Sequence, residues 1–302
     1  MLAPWVPDSH PATFPRGVWI ALIAVWIIWG STYLAIRISL ETLPPFGMAA
    51  LRLSIAGLVI IGFSAVRGVK LPTAAEWRGC LIVGALMFVG GNGSVCFAEQ
   101  TVSSGLVAIL VSTVPLWTAL MGMWWGARPG GRQWAGIALG FAGVIVLNLG
   151  RGLSGSPVAA VALLLGSPGW ALGSVLGRRM QMPKGTMASG AQMLCGGLSL
   201  AVVAWAAGEH IDAVSTRSVL AFVYLTVFGS LIGFTAYGYL LTHATLPVAT
   251  SYAYVNPLVA VLLGVVLGGE GLEWETLGGL VLLVLAVLLV TWPQQAIERA
   301  TR

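Results

Sequence analysis

The feature that most constrains this chain is a series of uncharged apolar stretches, each long enough to cross a lipid bilayer as a helix. One of them, Ala249–Gly268, carries no charge but contains Asn256 followed directly by Pro257. A proline inside a helix frees a backbone carbonyl and bends the axis, and lipid does not tolerate exposed polar groups. These groups are therefore predicted to face a protein interior or a water-filled cavity.

The composition excludes a soluble fold. Of the 302 residues, 58% are hydrophobic and 8% are charged, and the mean hydropathy is +0.92. Soluble domains have about 45–50% apolar and about 25% charged residues. The apolar stretches are continuous and do not alternate with polar residues, which also excludes a membrane β-barrel. The predicted class is an all-α polytopic membrane protein.

Ten segments have the length and apolar character of membrane spans. They are Gly17–Ile36, Pro45–Val66, Trp77–Ala98, Val102–Trp125, Trp134–Leu149, Pro157–Leu176, Met187–Ala207, Val219–Leu241, Pro247–Leu267 and Glu275–Trp292. Short connections with prolines near the span ends separate them, so no segment between spans is long enough to form a soluble domain.

Landmarks of the second half repeat those of the first half at a constant spacing of 142 residues. Pro115, Gly122, Gly126 and Gly136 are matched by Pro257, Gly264, Gly268 and Gly278. Trp29 and Trp170 match at a spacing of 141, as do Arg37 and Arg178. The chain is therefore predicted to contain two five-span repeats, 17–149 and 157–292, between an N-terminal tail, 1–16, and a C-terminal tail, 293–302. Because five is odd, the second repeat must enter the membrane inverted.

The loop charges support this topology. If the N-terminus is cytoplasmic, eleven basic residues lie in cytoplasmic segments and three lie on the other side, a clear positive-inside bias. The inversion also explains why Arg128, after the fourth span, is replaced by Glu270 at the equivalent place after the ninth. Both tails are predicted to be cytoplasmic.

Several motifs carry a resemblance to a known family: WGSTY at Trp29–Tyr33, Arg52 within ALRLSIAG, Asn92, and TSYAYVNPLVAVLLG followed by Gly269 and Glu270. With these motifs the chain resembles the drug/metabolite transporter superfamily, more narrowly its EamA-type exporters, and within these the YedA-like inner-membrane transporters of bacteria. The resemblance covers Gly17–Trp292. It implies ten transmembrane helices in two inverted EamA repeats, a bacterial inner-membrane location, and export of small metabolites or drugs. It further implies a central cavity lined by helices one, three, four, six, eight and nine, with the fifth and tenth at the periphery.

Two positions depart from the family pattern. Pro168-Gly169 in the sixth span stands where such proteins usually have small residues other than proline, which predicts a stronger kink there. The family's Gly-Glu after the repeat helix is present only in the second repeat, because Ala127 and Arg128 replace it in the first.

Polar and aromatic residues at bilayer depth are the candidate substrate-binding residues, and the matched prolines Pro115 and Pro257 are the candidate helix kinks. The predicted cavity residues are Trp29, Ser31, Asn92, Thr113, Trp170, Tyr254 and Asn256. For the two asparagines, substrate binding and hydrogen bonding between helices remain equal alternatives. This lining is aromatic and neutral, so the expected cargo is a neutral or zwitterionic, partly apolar molecule.

Arg52 and Glu99 are the candidates for a charge or coupling role. Arg52, inside the second span, could bind an anionic substrate, or it could be a structural charge satisfied by helix-end carbonyls or by Glu41 or Glu99. Glu99, at the end of the third span, could carry a coupling proton or could form a structural salt bridge. The sequence leaves these alternatives open.

The sequence contains no catalytic motif and no Walker sequence, and Cys80, Cys96 and Cys195 lack metal-ligand spacing. The chain is therefore predicted to be no enzyme and to need neither cofactor nor metal. The predicted function is secondary-active export by alternating access. A proton-coupled multidrug exporter is the alternative within transport, and a channel or sensor is the alternative from another class. The expected partners are a small-molecule substrate and the lipid bilayer, with no nucleic acid, and a homodimer is left open.

Overall fold

A computed structural model describes residues 14–102, 107, 110–147, 156–268 and 274–291, with the backbone alone at residues 147, 260–261, 264–268, 275–276 and 291. Within these ranges the chain is helical and has no strand. The helices are α1 Arg16–Ser39, α2 Pro45–Val66, α3 Ala74–Ala98, α4 Val114–Trp124, α5 Gly131–Leu147, α6 Pro157–Gly177, α7 Thr186–Ala206, α8 Thr216–His243, α9 Tyr252–Gly268 and α10 Trp274–Thr291. A short helical turn, Leu246–Ala249, precedes α9.

Each of these helices overlaps one predicted apolar segment. Six of them, α1, α2, α3, α6, α7 and α8, are long and apolar enough to cross a membrane on length and composition. The predicted all-helical membrane class is thereby confirmed. Both predicted tails lie largely outside the described residues. Gly269 and Glu270, the predicted equivalents of Ala127 and Arg128, also lie outside them.

Helices α2 and α7 end in the same way, as equivalent elements of two repeats should. Gly68 and Gly208 follow them with φ of +80° and +68°, the left-handed conformation that glycine adopts without a Cβ penalty. In both cases the next amide closes the helix, since Val69 N donates to Ser64 O and Glu209 N donates to Ala204 O, each at 3.0 Å. This is a Schellman-type ending, and it stops each helix in the same way.

Helices α3 and α8 share a second feature. Each contains a π-helical stretch, Ala85–Gly93 in α3 and Leu225–Phe234 in α8, flanked by regular α-helix. The two stretches occupy equivalent places in the two repeats. π-Helical insertions are rare and occur frequently at functional sites, because they displace side chains from the regular helical register.

The packing of the helices follows a pseudo-twofold relation between the repeats. The most extensive contacts join equivalent helices, α2 with α7 and α5 with α10. Several of the other contacts come in matched pairs: α1 packs on α8 and α9, as α6 packs on α3 and α4. Two inverted repeats arranged about a common axis produce this pattern.

The two matched prolines have different surroundings. Pro115 lies in the first turn of α4, directly after the non-helical residues Ser112 and Thr113. Pro257 lies inside α9, and the non-helical residues of that span, Thr250 and Ser251, come well before it. Pro168 likewise lies inside a helix that continues on both sides. The fourth and ninth predicted spans are each interrupted by non-helical residues. In both, the interruption comes before the proline at which the kink was predicted.

Candidate functional site

A cavity lies in one half of the helix bundle. We call the end of the bundle that contains Glu99, after α3, the Glu99 end, and the opposite end, which contains Arg178 after α6, the Arg178 end. The cavity holds about 80 Å3 of space for the centres of water-sized molecules, enough for several waters or a small solute. Its wall is formed by Trp29, Thr32, Tyr33, Ile36, Arg52, Gly91, Asn92, Ser94, Val95, Val111, Val114, Leu163, Gly166, Ser167, Trp170, Gly229, Phe234, Tyr252 and Asn256. Most of these residues lie toward the Glu99 end, and none belongs to α5 or α10.

The floor of the cavity is a set of buried rings that we call the aromatic cluster: Trp29, Trp170, Phe234, Tyr237 and Tyr252. The ring of Trp29 is at its centre, with centroid distances of 4.8 Å to Tyr252, 5.0 Å to Phe234 and 5.6 Å to Trp170. Edge-to-face pairs of this kind contribute about 0.5–1.5 kcal/mol each beyond their area burial. The cluster therefore closes the cavity toward the Arg178 end.

Two glycines allow the tryptophans to meet. A Cβ on Gly91 would stand 2.5 Å from the ring of Trp170, and a Cβ on Gly233 would stand 2.4 Å from the Nε1 atom of Trp29. Both glycines lie on the π-containing helices, and they are 142 residues apart. The equivalent Trp29 and Trp170 are thus seated against equivalent glycines of the opposite repeat, near the pseudo-twofold axis.

The three serine and threonine hydroxyls of the wall already donate to backbone carbonyls. Thr32 donates to Trp29 O at 2.7 Å, Ser94 to Gly91 O at 2.7 Å, and Ser167 to Leu110 O at 2.9 Å. The Trp29 indole N–H donates to Gly229 O at 3.2 Å, and the Trp170 indole N–H donates to the Tyr237 hydroxyl at 3.3 Å. These donors are satisfied, so what they offer a solute is mainly acceptor lone pairs and ring surface.

Arg52 and Asn256 differ from these residues because each keeps a buried polar atom without a partner among the described residues. Arg52 is 2% exposed, its Nη2 donates to Asn92 Oδ1 at 2.5 Å, and its Nε has no acceptor. Asn256 is also 2% exposed, and its Oδ1 receives no hydrogen bond. An unsatisfied buried polar group costs about 1–3 kcal/mol, so groups of this kind in a cavity wall are candidates for contact with a solute.

The bundle is packed on the other side of the aromatic cluster. On α1, Leu22 and Val25 are completely buried, and on α6 so are Ser174 and Val175. The hydroxyl of Ser174 is 2.9 Å from that of Tyr237, and Arg178 donates to the carbonyl of Ala244. The Trp26 indole N–H donates to Ser251 Oγ at 3.1 Å, which ties α1 to the residues just before α9. The same two helices that line the cavity toward the Glu99 end are therefore in contact with their neighbours toward the Arg178 end.

Four of the seven predicted substrate-binding residues line the cavity together: Trp29, Asn92, Trp170 and Asn256. The other three lie outside its wall. Ser31 bonds to Ile28 O and to the Tyr224 hydroxyl, and Thr113 bonds to Leu110 O at 2.6 Å. Tyr254 is completely buried with Val144 and Leu283, between α5 and α10.

The structure shows the surroundings of the two charged candidates, Arg52 and Glu99. Glu99 has a side chain that is 1% exposed and pairs with Arg37 at 3.3 Å, and Glu41 pairs with Arg217 at 3.4 Å. Neither acid pairs with Arg52, which lies in the cavity wall and does not extend to the helix end. The predicted structural role of Arg52 as a partner of Glu41 or Glu99 is therefore not seen among the described residues.

The sequence prediction did not include several wall residues, among them Thr32, Tyr33 and Ile36 on α1 and Leu163 and Ser167 on α6. A helical signal for them existed, because they follow or precede the predicted Trp29 and Trp170 at spacings of three, four and seven residues. The sequence did not indicate in which direction along the helix the cavity extends from Trp29. The same face of α1 continues both toward the Glu99 end and toward the Arg178 end. Only the packing decides which half of that face is open.

Comparison with known proteins supports this architecture. Residues 16–149 and 157–292 each match the EamA-like transporter family. A crystal structure of a protein with 21% sequence identity superimposes with a TM-score of 0.77, over 94% of this chain and 99% of that one. At this identity the likeness shows a shared fold.

Individual relatives extend over most of the chain. It is 46% identical over 276 residues to the Escherichia coli protein named uncharacterized inner membrane transporter YedA, covering 90% of this chain and 89% of that protein. It is 26% identical over 263 residues to the probable terminal-alkyne amino-acid exporter of Streptantibioticus cattleyicolor, covering 84% and 86%. The two matched halves and the identity to YedA show that this chain belongs to the EamA-like transporter family of membrane transporters.

Proposed function

We propose that the protein is a secondary-active exporter that moves small, partly apolar organic molecules through its central cavity by alternating access. In this proposal ten helices span the bacterial inner membrane as two inverted repeats, with both termini cytoplasmic. The observation that carries it is the contrast across the aromatic cluster, where a cavity lies toward the Glu99 end and the equivalent surfaces are packed toward the Arg178 end.

In a protein built from inverted repeats, a second conformation, open to the other side, can form from the same helices. If each repeat adopts the conformation of the other, the packed side separates and the cavity side closes. Contacts between equivalent helices, α2 with α7 and α5 with α10, map onto themselves in this exchange and need not change. The contact of α1 with α9 maps onto that of α6 with α4. Both contacts are present in this structure and the first is the more extensive, so these are the contacts expected to tighten and loosen in turn.

The hydrogen bonds at these two contacts correspond as well. Trp26 donates to Ser251 between α1 and the start of α9. At the positions 141 residues away, Ser167 of α6 donates to the carbonyl of Leu110, ahead of α4. The positively charged side of the predicted topology holds Arg178, so the cavity side is expected to face the exterior.

The walls of the cavity and two relatives support the type of cargo and the location. Aromatic rings form the floor, and most wall hydroxyls are already bonded, which suits a cargo with an apolar body and few polar groups. The name of the Streptantibioticus relative favours an amino-acid-like molecule, and that of the E. coli relative favours the inner membrane.

A proton-coupled multidrug exporter is the second candidate, and one observation favours it. Glu99 is a buried carboxylate whose Oε1 has no partner among the described residues, although its Oε2 pairs with Arg37. A buried carboxylate near a cavity can exchange a proton during a transport cycle. Its position beside α3 at the edge of the bundle, outside the cavity wall, favours a structural ion pair.

Counterflow in proteoliposomes tests the proposal. Purified protein is reconstituted, loaded with unlabelled compound, and assayed for uptake of labelled amino acids and cationic dyes, with and without a pH gradient. A carrier gives saturable uptake that is accelerated by compound on the other side, whereas a channel gives conductance in planar bilayers without counterflow. If no member of the panel shows saturable flux and conductance is found, the carrier proposal is wrong.

A further inference from the structure

We infer that Arg52 is the binding group for a carboxylate of the cargo, so that the substrates are organic acids or zwitterions that carry an apolar, preferably aromatic, body. This inference rests on the proposed function and names the chemical class that the cavity takes. It excludes permanently cationic compounds and neutral compounds without an acid group as good cargo.

The first argument is the position of the guanidinium. Arg52 is inside α2, is 2% exposed, and lies in the cavity wall. One terminal nitrogen, Nη2, donates to Asn92 Oδ1, while Nε has no acceptor among the described residues. Gly229 lies beside the guanidinium, since a Cβ added there would stand 3.8 Å from Arg52 Nη1 and 3.2 Å from Thr32 Cγ2. The group therefore keeps one unused donor in a residue of the cavity wall.

The second argument is charge. A guanidinium remains protonated under all ordinary conditions, and a charge buried at this depth in a membrane protein requires compensation. The acids near this end of the bundle bond elsewhere: Glu99 to Arg37, Glu41 to Arg217, and Glu209 to the amides of Phe46 and Gly47. Asn92 is a neutral partner. Within the described residues, the negative charge that would compensate Arg52 is missing, and a bound carboxylate supplies it.

The third argument is geometry. The planar fork of a guanidinium matches the two oxygens of a carboxylate and can bind them through two parallel hydrogen bonds. The aromatic cluster lies next to this fork, because Gly229 separates Arg52 from Trp29, whose indole N–H donates to Gly229 O. A carboxylate on Arg52 therefore places an attached ring or chain over Trp29 and Phe234.

The fourth argument is that the second repeat forms the equivalent helix without an arginine. Aligning the starts of α2 and α7 places Met193 opposite Arg52, and aligning their glycine ends places Gln192 there. Neither residue is charged, so packing of this helix does not itself require the guanidinium. The charge of Arg52 is therefore a feature of the cavity wall that has no counterpart in the other repeat.

The experiment measures binding to purified full-length protein in lipid nanodiscs by the change in tryptophan fluorescence, with isothermal calorimetry as a second readout. The probes are 3-phenylpropionate and phenylalanine, which have a carboxylate, and phenethylamine and phenylalaninol, which share the ring and lack it. We expect the two carboxylates to bind at least about tenfold more tightly, since a hydrogen bond to a charged group is worth this factor or more.

Two variants and one control identify the residue. Arg52→Gln should weaken the two carboxylates about 10- to 100-fold and leave the two other probes unchanged. Asn92→Asp supplies an internal carboxylate to Arg52, so it should lower affinity for the carboxylates while the guanidinium stays paired and the protein stays folded. The control, Arg217→Gln, removes the same charge at an exposed site near the same end of the bundle and should change nothing.

The outcomes separate this inference from the proposed function. Equal binding of all four probes, no binding of any, or unchanged carboxylate affinity in Asn92→Asp would overturn the assignment of Arg52. If counterflow of other cargo persists in that case, the transporter proposal still stands. If counterflow is absent for the whole panel while the carboxylates bind through Arg52, the proposed function is wrong and the binding site remains.

Discussion

The two sides of the Trp29–Trp170 pair contain equivalent helices in opposite states. Toward the Glu99 end, the faces of α1 and α6 line a cavity, and toward the Arg178 end the same helices are packed with completely buried side chains such as Leu22 and Val175. Because the repeats are equivalent, this difference is not dictated by helix type or length. It reflects how closely equivalent helices pack at the two ends, since the α1–α9 and α6–α4 contacts are both present.

A second contrast concerns recognition. The tryptophans and the glycines that seat them are matched between the repeats, but Arg52 and Asn256 are not. The residue 142 positions before Asn256 is Val114, which also lies in the wall. Symmetric residues therefore form the centre of the bundle, while the unmatched Arg52 and Asn256 provide the unsatisfied polar atoms of the cavity wall among the described residues. In the proposed transport cycle, the matched residues would serve the movement between states and the unmatched residues would serve selectivity.

The largest expected effect comes from locking the packed side. With Cys80, Cys96 and Cys195 replaced by alanine, Trp26→Cys and Ser251→Cys are joined by a short, reducible thiol crosslinker across a contact that now measures 3.1 Å between hydrogen-bonding atoms. Counterflow should fall to background and return after reduction.

The control for the lock is Ser64→Cys with Thr186→Cys, whose hydroxyls are 2.9 Å apart between α2 and α7. The contact between α2 and α7 maps onto itself when the repeats exchange conformations, so crosslinking these two helices should leave counterflow intact. Full activity of the locked Trp26–Ser251 protein would show that the packed side does not separate during transport.

The orientation of the protein in the membrane decides which side the cavity faces, and cysteine labelling measures it with an all-or-none result. Single cysteines at Ser156 and Asp212 should react with an impermeant thiol reagent added outside cells, and cysteines at Lys70 and Lys184 should react only after permeabilisation. The physical reason is the positive-inside distribution of the basic residues. The reverse labelling pattern would place the cavity side in the cytoplasm and contradict the predicted topology.

Removing either matched tryptophan should destabilise the fold strongly. Trp29→Ala and Trp170→Ala each remove a ring that is 7% exposed and contacts several other rings, which costs about 3–5 kcal/mol in a packed interior. The measurement is thermal unfolding, with Trp124→Ala as the control, since Trp124 is 77% exposed. Unchanged stability of both cluster variants would mean that the tryptophans serve substrate contact alone.

The unmatched asparagine should affect affinity more than stability. Asn256→Ala removes an oxygen that has no partner among the described residues and an amide beside the Tyr33 hydroxyl, so unfolding should change by about 1 kcal/mol or less, while apparent affinity should weaken several-fold for a lost bond of about 1 kcal/mol. The matched control is Val114→Ala, which removes no polar atom. Equal affinity losses in both variants would assign the effect to cavity shape.

The smallest effect is expected at Glu99. Its partner Arg37 is 50% exposed, and a pair of that kind contributes only about 0–1 kcal/mol. Glu99→Gln should keep counterflow within about twofold of the unaltered protein, as should the control Glu41→Gln at the same end. Strict proton dependence of the unaltered protein, abolished by Glu99→Gln alone, would establish the coupling role instead.

The helical content and the repeats were predictable because both depend on local sequence. Apolar stretches of spanning length must satisfy their backbone hydrogen bonds internally, so they form helices whatever surrounds them. Trp29 and Trp170 were predicted as a matched pair and meet at 5.6 Å. The π-helical stretches in α3 and α8 were not predicted, because no distinct residue pattern marks them.

The sequence by itself determined the membrane class, the helices, the repeat and the chemistry available at bilayer depth, since hydrophobic length and charge act on each segment separately. Only the tertiary structure decided that Tyr254 lies between α5 and α10, that Glu99 pairs with Arg37, and that Arg52 lies in the cavity wall with Asn92, and no acid of the described residues, as its partner. These outcomes depend on which helices come together and at what rotation. That choice is made by packing among helices that are almost equally apolar on all sides, and no single segment records it.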